Sequence, residues 1–375
     1  MRKLLLFACS IVGVTLFAAP KISDLKVTSI APMGLAIDYN VSGATNGCYL
    51  SVSMTGNGTN YLAKTLSGET NCVNGAHRVY WNMAEEGITS VGADISVKVK
   101  YAAGDGALYC VVDLAGGSTA ESYPVTYLNA EPSGGFNTIE YKTTKLVLKR
   151  VDAGSFKMGN SKDVRLTKAF YMGLYEVTQK QWVLVTGSSI SYWAQYMGKG
   201  DAYPVYSVSY NTIRGSSEGA NWPKSNSVDS DSFLGTLRAK TGIDFDLPTE
   251  AQWEYTCRAG TETTYSYGDD EDGNYMWYYG NVILPSHEVG TKLPNPWGFY
   301  DMHGSVWEWC LDWYNSSLSD EVDDPAGPSS GSTRVLRGGS WISEASNCTS
   351  SYRLLDPDPG VQLNGYGFRL SRTLP

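Results

Sequence analysis

The chain has few histidines, few charged residues and no long apolar run, and each shortage excludes a class of function. Its 375 residues include 3 histidines, and a paired-histidine zinc motif is absent. Charged residues make up 18% of the chain, and the net charge of -9 includes no cluster of Lys and Arg, which argues against a nucleic-acid partner. No apolar run approaches the roughly 20 residues that a transmembrane helix needs.

The first 18 residues have the pattern of a secretory signal peptide. Arg2 and Lys3 precede an apolar run from Leu4 to Phe17, and Ala18 follows it as a small residue. This order predicts export, with cleavage after Ala18 because Pro20 disfavours cleavage directly before it. The expected destination is the periplasm, the cell surface or the medium.

Residues 19–128 are predicted to form an all-β sandwich of immunoglobulin type. Apolar and polar residues alternate over 35–41 and over 95–101, as in strands with one buried and one solvated face. Glycine-rich turn sequences separate such stretches, and no stretch has sustained helical spacing. Nothing in this part of the sequence indicates catalysis.

Residues 129–142 are predicted to be a linker, because they include Glu131-Pro132-Ser133-Gly134-Gly135. The second domain, residues 143–375, is expected to be α+β and rich in loops. The chain's 26 tyrosines, 11 tryptophans and 40 glycines suit an irregular backbone that is held by large rings.

Three helices are predicted in the second domain. Thr178 and Thr249 each precede a glutamine by three residues, which is the capping-box pattern, and they predict helices over 178–186 and 250–259. A third helix over 232–240 is expected to end at Gly242. Its buried side chains are predicted to be Phe233, Leu234 and Leu237.

The chain has 7 cysteines, of which Cys9 lies in the predicted leader. The others are Cys48, Cys72, Cys110, Cys257, Cys310 and Cys348. Export permits disulfides, and each half of the chain holds enough cysteines for one internal bridge, but the sequence does not fix the pairing. A bridge from Cys348 to Cys310 or Cys257 is favoured over a reactive thiol at Cys348.

Seven short stretches of the second domain occur together, in the same order, in one known family. They are Gly154–Gly159, Tyr175–Thr178, Pro204–Tyr210, Leu247–Glu254, Pro294–Trp309, Arg337–Trp341 and Gly367–Arg369. Together they resemble the formylglycine-generating enzyme family, also called the sulfatase-modifying factor family. The resemblance covers Lys145 to Arg372 and implies that family's elaborated C-type-lectin-like fold.

In catalytic members of that family, two cysteines five residues apart bind one Cu(I) and oxidise a substrate cysteine. The matching positions here carry Ser343 and Cys348. Soft Cu(I) is held by sulfur and not by a hydroxyl, so one ligand position is lost unless Met302 or another methionine replaces it. With Cys348, the candidate catalytic residues implied by the resemblance are Ser340 and Trp307.

The resemblance also implies calcium. One family site matches Asp301, the carbonyls of Gly304 and Val306, and Glu308, a mixture of carboxylates and carbonyls that suits a hard cation. The alternative is that the two carboxylates only cap turns. A second family site matches Asn281 and Val282, but the loop that brings its aspartate is shortened before Pro285.

Two functions therefore stay open. As a binding module, the domain would present the irregular segment Ile342–Tyr366 to a protein or carbohydrate ligand, in the way that the variable proteins of diversity-generating retroelements do. The residues expected on that binding surface are Ser343, Glu344, Asn347 and Arg353. As an enzyme, it would be an exported copper-dependent oxidase that converts a cysteine of a substrate protein to formylglycine, with Cys348 as its thiolate. The missing second cysteine favours the binding module.

Overall fold

The computed structural model describes residues 21–30, 34–42, 48–56, 59–63, 66–68, 75–84, 88, 95–103, 106–190, 194–282, 286–318, 322–354 and 358–374. The predicted signal peptide lies outside these residues. The chain divides into two compact units, one of residues 1–110 with 125–132 and one of residues 111–124 with 133–375. None of the helices in the described part of the chain has the length and apolarity to cross a membrane.

The described part of the first unit consists of β-strands. They are β1 (Lys21–Ile30), β2 (Gly34–Ser42), β3 (Cys48–Gly56), β4 (Thr59–Leu62), β5 (Leu66–Gly68), β6 (Gly75–Asn82) and β7 (Ile95–Ala103). Strand β8 (Tyr109–Asp113) begins in this unit and continues into the second one. Strand β9 (Val125–Leu128) belongs to the first unit. Two sheets have the orders β1-β2-β6-β5 and β4-β3-β7.

The alternation predicted over residues 35–41 is confirmed, because Leu35, Ile37, Tyr39 and Val41 are all buried in β2. Their side chains share one core cluster with Val52 and other residues of both sheets. These apolar side chains are thereby removed from water.

The division between the units differs from the predicted domain boundaries. Residues 111–124 belong to the second unit, where the Leu114 amide donates to the Thr144 carbonyl at 2.8 Å and the Tyr123 amide donates to the Lys240 carbonyl at 2.9 Å. These long-range hydrogen bonds have no counterpart in a local sequence pattern. The predicted linker, 129–142, also contains most of a short helix.

The second unit contains six α-helices in its described residues. They are α1 (Ile139–Thr143), α2 (Gln179–Thr186), α3 (Ala194–Met197), α4 (Tyr210–Arg214), α5 (Phe233–Thr241) and α6 (Glu250–Arg258). Its further strands are β10 (Lys145–Val151), β11 (Gly154–Met158), β12 (Lys162–Leu166), β13 (Phe170–Gly173), β14 (Trp307–Trp313), β15 (Arg334–Arg337), β16 (Tyr366–Gly367) and β17 (Ser371–Thr373). The result is a mixed α+β unit with long irregular connections.

Three small sheets organise this unit. One has the order β17-β13-β10-β8, one is the hairpin β11-β12, and one has the order β15-β14-β16. In the last sheet β14 is antiparallel to β15 and parallel to β16. This sheet brings the motif stretches around Trp307, Arg337 and Gly367 side by side.

The three predicted helices are confirmed. The side chains of Thr178 and Thr249 accept from the amides of Gln181 and Gln252, whose own side chains accept from the two threonine amides, so both capping boxes are complete. Phe233, Leu234 and Leu237 are fully buried, and α5 ends at Gly242 in the left-handed conformation. Local side-chain chemistry therefore defines where these helices begin.

Candidate functional site

Two glycines allow the central turn of the site to form. Gly338 and Gly339 follow β15 with φ values of 98° and 82°, which favour glycine. A Cβ atom on Gly339 would lie 2.4 Å from the Cys348 Sγ atom, and one on Gly338 would lie 3.1 Å from the Trp253 ring. The glycines therefore permit Ser340 and Cys348 to approach each other across the turn.

A network of buried ion pairs fixes the base of this turn. Arg337, in β15, pairs with Glu254 and Glu250 of α6, and Glu254 also pairs with Arg258 at 2.8 Å. Each of these side chains is at most 4% exposed. Removal of one partner from such a network is costly because it leaves a buried charge without compensation.

The positions that match the copper-binding pair hold a hydroxyl and a buried thiol. The Ser343 Oγ atom accepts from the Ser340 amide at 3.1 Å and lies 3.1 Å from the Ser340 Oγ atom. Cys348 is fully buried, and burial raises the pKa of its thiol to about 12. A hydroxyl at one of the two positions does not fit a two-thiolate copper site.

The predicted disulfide at Cys348 is wrong in this structure, where Cys348, Cys257 and Cys310 are unpaired buried thiols. The Cys348 Sγ atom lies 3.6 Å from the Glu344 carbonyl, and the Cys257 Sγ atom lies 3.6 Å from the Met302 carbonyl. His303 Nδ1 donates to the Cys348 carbonyl at 2.8 Å, and its Nε2 lies 3.7 Å from the Cys257 Sγ atom. Cys310 points along β14 towards the Glu308 carbonyl at 3.9 Å. Cys72 lies outside the described residues.

His303 is a neutral structural residue in this arrangement. Burial lowers the pKa of its imidazole to about 4. Because Nδ1 donates to Cys348, Nε2 is the acceptor, and it receives the Ser266 amide at 3.1 Å. His303 therefore joins the turn before Gly304 to the segment that carries Cys348.

The two carboxylates of the predicted first calcium site are already bonded to protein donors. Both oxygens of Glu308 accept from Arg369 at 2.6 Å, and Oε2 also accepts from the Trp253 indole at 2.7 Å. Asp301 Oδ2 accepts from the Gly290 amide at 2.6 Å. The charge of Glu308 is therefore balanced by the Arg369 guanidinium in this arrangement.

A third buried carboxyl group lies near this pair. Glu176 accepts from the Ser305 hydroxyl at 2.8 Å and from the Val306 amide at 3.0 Å. Burial, together with the charges of Asp301 and Glu308, raises the pKa of Glu176 well above its usual range. Even so, no three Asp, Glu, His or Cys side chains among the described residues form a group that would hold a metal ion.

The predicted second calcium site has lost its side-chain ligand to a turn. Asn281 accepts from the Tyr278 amide at 3.0 Å and donates to the Met276 carbonyl at 2.9 Å. Val282 packs against the buried cluster that includes Trp341. Residues 283–285 lie outside the described part of the chain. Calcium at either position therefore stays a prediction of the resemblance.

The four residues predicted on the binding surface differ in exposure. Ser343 is buried, Glu344 is exposed, and Asn347 and Arg353 are half-buried. Arg353 forms a two-pronged ion pair with Glu250, with distances of 2.5 and 2.8 Å, so its guanidinium supports the turn. Of the four, Glu344 is the one whose position suits a ligand contact.

Three exposed apolar side chains belong to the segments next to the buried serine pair. Ile342 is 60% exposed, Leu363 is 51% exposed and Tyr279 is 67% exposed. The Tyr279 amide donates to the Ser343 carbonyl at 3.0 Å, which places it beside Ile342. Tyr279 was not among the predicted site residues, although it belongs to the aromatic run Trp277-Tyr278-Tyr279.

Backbone hydrogen bonds connect Trp307 to the segment that contains Leu363. The Trp307 amide donates to the Gly365 carbonyl at 2.7 Å, and the Tyr366 amide donates to the Leu363 carbonyl at 3.1 Å. A Cβ atom on Gly365 would lie 3.2 Å from the Ser340 Cβ atom. Trp307 is itself 5% exposed, so its ring is buried and adds little to the exposed apolar area.

The second unit is an α+β domain with mixed sheets, a double-glycine turn and a buried Glu308–Arg369 pair. The model of the "sulfatase-modifying factor enzyme 1-like domain" matches residues 137–374, and the chain belongs to this family.

Three curated relatives illustrate the range of the family. "Chaperone protein LppX" of Paenibacillus barcinonensis is 30% identical over 285 residues, which cover 64% of this chain and 94% of that protein. "Serine/threonine-protein kinase pkn1" of Chlamydia caviae is 37% identical over 131 residues, covering 34% of this chain and 21% of the kinase. "Formylglycine-generating enzyme" of Streptomyces coelicolor is 36% identical over 142 residues, covering 33% of this chain and 45% of the enzyme.

Two solved structures are also similar. "Treponema denticola variable protein 1" has a TM-score of 0.48 and 28% identity, covering 61% of this chain and 95% of that one. PvdO from Pseudomonas aeruginosa has a TM-score of 0.49 and 25% identity, covering 61% of this chain and 94% of that one.

Proposed function

We propose that this protein is an exported ligand-binding member of the family that does not generate formylglycine. The observation that carries the proposal is the pair of residues at the copper-binding positions. Ser343 is bonded to Ser340 through its hydroxyl, and Cys348 is a buried thiol whose pKa is raised to about 12. The family's copper chemistry uses two thiolate ligands, and the hydroxyl of Ser343 cannot supply one of them.

The proposed ligand-binding surface is the exposed rim around these two residues. Ile342, Leu363 and Tyr279 form its apolar part, and Glu344 adds a charge. Exposed apolar side chains on a rigid base are typical of interaction sites. A protein ligand is supported by the relative that is named a chaperone, whose length this chain matches almost completely.

The first unit is proposed to be an immunoglobulin-like sandwich that presents or spaces the second. Its support is the pair of antiparallel sheets around one core. Export is supported by the basic, apolar and small residues at the start of the chain.

One observation favours the alternative function, a copper-dependent oxidase. Met276 and Cys348 belong to the same buried cluster, so a thioether and the surviving thiol are part of one core region. Soft sulfur ligands of both types bind Cu(I). The hydroxyl of Ser343, at the position of the second thiolate, opposes this alternative, and copper binding distinguishes the two functions.

The test of ligand binding uses arrays of peptides and glycans, probed with labelled protein that lacks residues 1–18. Ile342→Ser and Leu363→Ser each remove one exposed apolar side chain from the surface. Ile139→Ser is the matched control, because Ile139 is 64% exposed and lies in α1. The proposal expects both surface variants to lose array signals that the control retains. Equal signals from all three variants, or conversion of a cysteine peptide to an aldehyde, would contradict it.

A further inference from the structure

An acidic and aromatic segment lies beside the exposed apolar residues. Asp269 to Asp272 are four consecutive acidic residues, and Tyr278 and Tyr279 follow them closely. The Tyr278 hydroxyl lies 3.4 Å from Glu271 Oε1, while the Tyr279 amide bonds to the Ser343 carbonyl, between Ile342 and Glu344. We call Glu271, Tyr278, Tyr279, Ile342 and Glu344 the acidic aromatic surface.

This surface stands on a rigid base. Tyr267 stacks on Tyr265 with ring centroids 5.2 Å apart and on Tyr275 with centroids 4.3 Å apart. The Tyr265 hydroxyl also donates to the Ala345 carbonyl at 3.0 Å, and this hydrogen bond connects the three stacked tyrosines to the segment that contains Glu344. A preformed surface loses little conformational entropy when a ligand binds.

The charges along this surface have one sign. Asp270, Glu271 and Glu344 are exposed carboxylates, and burial with the charge of Glu271 raises the pKa of Tyr278. The nearby cation, Lys292, is already engaged: its Nζ lies 3.6 Å from the centre of the Trp277 ring, and it donates to the Gly273 carbonyl. Lys292 also demonstrates that an aromatic ring of this segment accepts a cation.

We infer that the acidic aromatic surface binds a basic peptide segment, with a Lys or Arg side chain over Tyr279 and its charge facing Glu271 and Glu344. This inference rests on the proposed function and names its ligand class. Charge complementarity favours a basic peptide over a neutral glycan, because a glycan would leave the exposed carboxylates facing an uncharged ligand. The apolar neighbour Ile342 provides contact for the aliphatic part of the bound chain.

The test is fluorescence polarisation with labelled peptides of equal length that are rich in Arg, in Gln or in Glu. We expect the Arg-rich peptide to bind and the Glu-rich peptide not to bind. Tyr279→Ala and Glu271→Gln should each weaken the Arg-rich complex by about twofold to fivefold, the range for an exposed cation–π contact. Glu121→Gln is the matched control: it makes the same charge change at an exposed residue away from the defined surface.

Each other outcome overturns the inference in a distinguishable way. If Glu121→Gln weakens binding as much as Glu271→Gln does, the attraction is general and not local. If the Gln-rich peptide or an arrayed glycan binds, and Ile342→Ser abolishes that binding while Glu271→Gln does not, the ligand class is wrong and the proposed function stands. If no peptide or glycan binds at all, both proposals fail.

Discussion

Replacement of Arg369 by methionine should strongly destabilise the second unit. The Arg369 side chain is fully buried, donates twice to Glu308 at 2.6 Å and also donates to the carbonyls of Gly173 and Tyr300 at 3.0 Å. In Arg369→Met, the Glu308 carboxylate would stay buried without its two hydrogen bonds from Arg369. Its hydrogen bond from the Trp253 indole would remain. Loss of one partner of a buried ion pair costs about 3–5 kcal/mol.

The assay is urea unfolding of the full chain, followed by tryptophan fluorescence, with thermal unfolding as a second measurement. At roughly 2–4 °C per kcal/mol for a unit of this size, the expected loss corresponds to a melting temperature lower by about 6–20 °C. The double variant Arg369→Met/Glu308→Gln should recover part of the loss, because it removes the buried charge. A loss below about 1 kcal/mol in the single variant would refute this account of the buried pair.

Three further predictions concern titration, capping and thiol reactivity. Burial raises the pKa of Asp301 to about 6 and of Asp312 to about 7, so their stabilising contribution is complete below about pH 4 and is lost as the pH rises through these values. The free energy of unfolding, measured in urea, should be lower at about pH 8 than at about pH 5 by on the order of 2–4 kcal/mol. Asp312→Asn should make this free energy depend less on pH, and the same pH dependence in the variant and the wild type would contradict the prediction. Thr249→Ala should destabilise the protein by about 1 kcal/mol in the same assay, and no loss would show that the cap does not contribute. Native Cys348 should resist iodoacetamide, as followed by peptide mass mapping, and rapid labelling would refute its burial.

Elements defined by local chemistry were predictable from the sequence. The threonine and glutamine of each capping box lie within one helical turn of each other, so Thr178 and Thr249 marked the starts of α2 and α6. The period-two pattern of β2 was equally local. The motif stretches likewise identified the second unit through their resemblance to a known family.

The contacts that decide the site join distant parts of the chain, and local patterns do not contain them. Arg353 was expected on the surface, but its guanidinium pairs with Glu250, which lies 103 positions earlier. The Cys348 disulfide was expected from the oxidising compartment, but in the fold the Cys348 and Cys257 thiols contact different backbone carbonyls. Tyr279 gained its relevance only through its hydrogen bond to Ser343.

The most direct test of the central claim is an anaerobic titration of the protein without residues 1–18 with Cu(I), against a competing chelator. We expect the wild-type protein to take no copper from the chelator, because Ser343 supplies a hydroxyl in place of the second thiolate. Ser343→Cys, which restores the second cysteine of the family pair, tests whether the assay reports copper binding in this fold. Retention of one copper by the wild-type protein, and its loss in Cys348→Ala, would contradict the account and favour the oxidase.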